Sequence, residues 1–117
     1  MAPIDFSALL EMLGGKREVV ASLLGTFLEE LATDVEASKR AAAAQDTQAL
    51  RQIAHRMKGT SANLHAGVLS AAARELEAAC IESDYELVTL KHEMVCDQSQ
   101  RLSDAIQSWR EYDGSAL

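Results

Sequence analysis

Residues 46–64 read Asp46-Thr47-Gln48-Ala49-Leu50-Arg51-Gln52-Ile53-Ala54-His55-Arg56-Met57-Lys58-Gly59-Thr60-Ser61-Ala62-Asn63-Leu64. Leu50, Ile53, Met57 and Leu64 recur at helical spacing and share one face, with Ala54 and Ser61 as small contacts between them. Asp46, just ahead of the periodic run, has the side chain that caps a helix start. The stretch is therefore an amphipathic helix whose apolar face meets a core. At roughly 100° per residue His55 projects about 150° from that face, on the water side. Gly59 follows one turn later on nearly the same line, although glycine inside a helix is about 1 kcal/mol less favourable than alanine. Ala62 continues the strip with another minimal side chain. The surface beside the imidazole is bare enough for a partner's backbone to approach.

The same helix is locally basic. Lys58 lies three residues beyond His55 and Arg51 one turn before it. Between residues 45 and 66, Arg51, Arg56 and Lys58 stand against Asp46 alone, a local charge of about +2 in a chain of net charge -7. A phosphoryl group suits such a strip, and a neutral imidazole is a competent nucleophile toward one.

Outward from this helix the rest of the chain is also helical. Ile4, Phe6, Leu9, Leu10 and Leu13 predict a short first helix that stops at Gly14-Gly15. Val20, Leu23, Leu24, Phe27, Leu31 and Val35 predict a long amphipathic helix over residues 16–44, with a break at Gln45-Asp46. After a break at His65-Ala66-Gly67, Leu69, Ala72, Ala73, Leu76, Ala79 and Cys80 predict a fourth helix. A turn at Glu82-Ser83-Asp84 leads to the last one, with Leu87, Leu90, Met94, Leu102, Ala105 and Trp109 on its core face. Asp97-Gln98-Ser99-Gln100 predicts a bend or a less buried turn within it. Four main helices with short connections imply an all-α, antiparallel up-down four-helix bundle, with the short N-terminal helix capping one end. The bundle spans residues 4–112, leaving 1–3 and 113–117 as frayed termini.

Composition narrows the function classes. The 117 residues are 48 % hydrophobic and 25 % charged, with 4 % aromatic, six Gly and one Pro. That balance predicts one folded helical domain and excludes a multidomain enzyme. The acidic excess disfavours nucleic acid and direct membrane binding, which leaves a protein partner. Cys80 and Cys96 lack metal or redox spacing and fit a reducing cytoplasm. Neither a membrane span nor a signal peptide is read in the chain. Leu13-Gly14-Gly15-Lys16 lacks the glycine spacing and Ser/Thr of a phosphate-binding loop, so no ATP site and no kinase activity are expected.

Ala54-His55 followed by Lys58-Gly59, Ser61 and Asn63 forms the pattern A-H-x-x-K-G-x-S-x-N. This closely resembles the signature of histidine-containing phosphotransfer (HPt) domains of bacterial multistep phosphorelays. Leu9 to Gly15, Phe27 to Leu31 and Arg74-Glu75-Leu76-Glu77 are also similar to that family, so the resemblance covers most of residues 4–109. It implies that His55 is phosphorylated, through Nε2, that Lys58 steadies the phosphoryl group, and that Gly59 admits a receiver domain's loops. Glu77 matches a position whose side chain can orient the histidine ring. Arg51, Gln52, Arg56, Gly59 and Ala62 would meet the partner. The implied partners are receiver domains of a hybrid sensor kinase and of a response regulator, the receiver carrying Mg²⁺ while this chain holds no cofactor or metal. A monomer is expected, cytoplasmic, either free-standing or as the cytosolic module of a membrane-bound hybrid kinase. One departure is plain: where the family commonly reads Asn-Leu-Gly-Ala, this chain has Asn63-Leu64-His65-Ala66.

Plainer readings stand beside these. His55 taken alone is a solvated surface histidine, and His65 and His92 read as ordinary surface or cap residues. Met12, Met57 and Met94 read as core filling, Cys80 as inert and Cys96 as exposed and oxidisable. Ser61 points inward, which argues against a Ser-Lys nucleophile, and the acids from Glu29 to Glu36 read as a solvated face. The competing function is a non-catalytic acidic helical adaptor that docks a partner through the same strip without phosphorylation.

Overall fold

The computed structural model describes residues 2–115, and their side chains as far as Tyr112. The expected frayed ends at 1–3 and 113–117 therefore fall partly outside the described residues. Among the described residues the secondary structure is five helices with no strand: α1 (Phe6–Met12), α2 (Arg17–Ala43), α3 (Thr47–Asn63), α4 (Gly67–Glu82) and α5 (Tyr85–Ser115). At about 1.5 Å per residue, α5 alone accounts for most of the 49 Å long axis. α2 packs on α3 and α5, α3 on α4, and α4 on α5, while α1 rests on α2.

The helix ends follow from local chemistry. Asp5, Asp46 and Asp84 each accept a backbone N–H three residues on, satisfying donors left open at a helix start. Three helix ends close alike: Gly14, Gln45 and His65 take positive φ, and Gly15, Asp46 and Ala66 donate back to Leu10, Ala41 and Ser61. Asp5 N–H also donates to His65 O at 3.0 Å. Phe6 stacks on Trp109 with ring centroids 5.0 Å apart, and the Arg17 guanidinium lies 4.7 Å over the same indole. α1 is thereby fixed beside the α3–α4 turn and the far part of α5, as expected of a cap at one end.

The predicted core of α3 and α4 is buried throughout, from Leu50 and Met57 to Leu76 and Cys80. Two predicted faces need correction. Leu23 on α2 is exposed, whereas Ser38 and Ala41 continue the buried line. On α5 the buried positions are Val88, Val95, Ser99, Leu102 and Ile106, while Leu90 and Met94 are exposed. The helix runs unbroken through Asp97–Gln100, and Ser99 lies inside it with its Oγ unpartnered. Of the three methionines read as core, only Met57 is buried.

Candidate functional site

His55 occupies the middle of α3, where its side chain is 68 % exposed. Its neighbours Ala54 and Met57 are buried, so the helix is anchored on one side and presents the imidazole on the other. Nδ1 lies 2.7 Å from Oε2 of Glu77 on α4, and Nε2 engages no partner among the described residues. Lys58 Nζ donates to the other oxygen, Oε1, also at 2.7 Å. Behind this group Ser70 Oγ donates to the Lys58 carbonyl at 3.0 Å, fixing α4 against α3 at the level of the site. The hydrogen bond from Lys58 holds the Glu77 carboxyl below its ordinary value, against the desolvation that pushes it up, and the bond to His55 adds to the lowering.

Arg51, Gln52, His55 and Glu77 line one shallow depression. Gly59 is open, with nothing within 4 Å of where a Cβ would stand, and Ala62 is exposed farther along. Arg56 is not gathered with them. Its guanidinium turns to α2, bonds Asp34, and lines a separate groove with Glu29, Glu30, Thr33 and Thr60. The hydrogen bond and charge of Asp34 raise the Arg56 pKa further. The basic strip expected from the sequence is thus tempered, because Arg56 and Lys58 each face a carboxylate from a neighbouring helix. Asp34 accordingly departs from the solvated acidic face read for residues 29–36.

Asp34 and Ser70 were missed as site neighbours, since contacts between helices depend on helix rotation that linear spacing does not carry. His92 and Cys96 also depart from the plain readings. His92 Nε2 lies 2.9 Å from Ser38 Oγ and 3.5 Å from Cys96 Sγ, and burial lowers its pKa. Burial raises both thiols, Cys80 and Cys96. Among the described residues no helix is long and apolar enough to cross a membrane.

Comparison with curated proteins and with solved structures gave no match. The family model described as the Hpt domain matches residues 22–112, a span that contains α3, α4 and the paired His55, Lys58 and Glu77. Histidine phosphotransfer in phosphorelays is the work of such domains. With an all-helical fold around a solvent-facing histidine and a family match over most of its length, the chain belongs to the Hpt domain family.

Proposed function

We infer that His55 accepts a phosphoryl group from the aspartyl phosphate of a receiver domain and passes it to an aspartate of a response regulator. The observation that carries this reading is the state of one ring: Nδ1 is held by Glu77 while Nε2 is left bare on an exposed side chain. Nε2 attacks phosphorus in line; the N–P bond forms, the P–O bond breaks, and its electron pair leaves with the receiver's carboxylate. Onward transfer is the reverse with a second aspartate. Such transfers need positioning and charge stabilisation above all, and the receiver with its Mg²⁺ would supply most of the latter. This chain contributes the placed nucleophile, Lys58 as counter-charge, and a docking strip of Arg51, Gln52, Gly59 and Ala62, with Arg56 turned to Asp34 at its side. It acts as a carrier without an ATP site.

The rest of the reading concerns setting. The short turns at 44–46, 64–66 and 83–84 support an antiparallel up-down four-helix bundle over residues 4–112. We place it as a monomer in the bacterial cytoplasm, alone or as a module of a hybrid kinase. The test is transfer from a panel of radiolabelled, phosphorylated receivers to the native chain and to His55→Gln. Acid-labile, alkali-stable label that vanishes in the variant is expected. No label from any active donor would overturn the reading in favour of a non-catalytic docking bundle.

A further inference from the structure

The cations around His55 divide into engaged and unengaged. Arg56 is bonded to Asp34, Lys58 to Glu77, and farther off Lys91 to Glu75. Arg51 and Arg74 form no ion pair among the described residues. Both stand on the seam between α3 and α4. Arg51 lines the depression that holds His55 and Glu77. Arg74 is exposed one turn before Glu77 on the same face of α4, between the bonds that tie Ser70 to Lys58 and Glu77 to His55. It lines a second open groove with Ala62, His65, Gly67 and Ser70. The acids nearest to it are occupied elsewhere: Glu75 by Lys91, Glu77 by His55 and Lys58, and Asp5, the carboxylate in that groove, by the Ala8 N–H it caps.

A receiver that holds an aspartyl phosphate and Mg²⁺ presents phosphate oxygens and metal-binding carboxylates on the face that meets His55. This chain has a net charge of -7, so two acidic surfaces have to close on each other there. Charges more than about 10 Å away are largely screened at ordinary salt, which leaves the decision to cations inside the contact. Resting on the phosphotransfer reading, we propose that Arg74 is a docking residue: with Arg51 at the other end of the α3–α4 seam it brackets His55 with unengaged guanidinium charge and recognises the acidic rim around a receiver's aspartyl phosphate. At about 1.5 Å per residue, Arg51 and Ala62, the α3 positions beside the two depressions, lie roughly 16 Å apart, a span that one partner covers. A planar guanidinium suits carboxylate and phosphate oxygens alike. Arg74 therefore acts on encounter and orientation, and the N–P bond forms without it.

The test compares transfer to the native chain, Arg74→Gln, Arg74→Lys and Arg101→Gln from the phosphorylated receiver that labels the native chain fastest, across a salt series. Arg101 lies on α5 and pairs with Asp97, so its loss removes the same charge away from the seam. At low salt kcat/KM should fall about fivefold in Arg74→Gln, recover largely in Arg74→Lys, and stay near native in Arg101→Gln. Added salt should slow the native chain more steeply than Arg74→Gln, so that the two converge. Labelling of His55 by phosphoramidate, a small donor that needs no docking, should be equal in all four. A fall in Arg74→Gln no greater than in Arg101→Gln, curves that stay parallel with salt, or an equal loss with phosphoramidate overturns the docking role alone. No label on His55 from any active receiver overturns the phosphotransfer reading and the docking role with it.

Discussion

Arg56 on α3 reaches Asp34 on α2, with Nη2 2.6 Å from Oδ1 and Nε 3.5 Å from Oδ2, and so the cation that follows His55 in sequence points away from it in space. The guanidinium is more than half exposed while the carboxylate is mostly covered. The pair joins two helices beside the docking strip without entering the depression around the imidazole.

Asp34→Asn should release Arg56 toward the strip. A double-mutant cycle with Arg56→Ala, followed by urea unfolding, should give a coupling of about 0.5 kcal/mol, as for other solvent-facing pairs. The larger effect is expected in partner choice: the ratio of transfer rates between two receivers should change in Asp34→Asn. Equal ratios would remove Arg56 from the determinants of specificity.

Gly59 has open space around its missing Cβ inside a continuous helix. Gly59→Ala should therefore stabilise the fold by about 1 kcal/mol, read as a rise in thermal midpoint. Gly59→Tyr should fold as well and yet slow transfer from a receiver. An unchanged transfer rate in the tyrosine variant would contradict the docking argument.

His65 adopts φ 59, the left-handed conformation that closes α3, at the position where the family resemblance leads one to expect glycine. The departure seen in the sequence is thus a backbone matter: a histidine has been placed in a conformation suited to glycine. His65→Gly should stabilise by about 1 kcal/mol, retain the Asp5 bond to its carbonyl, and leave transfer unaltered. A fall in the urea midpoint would show that the imidazole holds the turn through its side chain.

His92 gives the protein a pH dependence below neutrality. Burial is the main cause of its lowered pKa, aided by Lys39 and opposed by Glu93. A folded pKa below the unfolded value of about 6.5 means that the unfolded chain takes the proton first on acidification. The contribution is complete above that value and is lost as pH falls through the folded pKa. His92→Gln, which keeps a donor for Ser38, should flatten the plot of urea midpoint against pH below about 6.5. Parallel native and variant curves would disprove the assignment.

Helices α1, α3 and α4, and α2 apart from Leu23 and the buried Ser38, were legible because their apolar residues form one stripe each, punctuated by Gly14-Gly15, Asp46 and the His65 turn. α5 was not, because it carries two stripes. Leu87, Leu90 and Met94 give a regular apolar line that largely faces out, whereas the buried line through Val88, Val95, Leu102 and Ile106 is interrupted by Ser99. Apolar periodicity therefore misplaces Leu90 and Met94, although Leu102 is buried and Leu87 and Trp109 pack against the core, and packing against α2 and α4 decides the face. At the site, Gly59 could be singled out within one helix, since a mid-helix glycine is unfavourable, and His55 stood out by its place beside Gly59 and Lys58. Glu77 came from resemblance, and its double engagement with His55 and Lys58 depends on the rotation of α4, which no linear pattern encodes. Asp34 was hidden by its place among other acids.

The open setting of His55 also bears on timing. Its side chain stands on the outer surface of a helix, and the described chain offers no lid above it. A phosphoryl group carried there would travel through bulk water between partners. The persistence of the signal in transit would then be limited by the intrinsic hydrolysis of a phosphorus–nitrogen bond, making the carrier a chemical clock whose interval is set by bond lability and reset by each encounter.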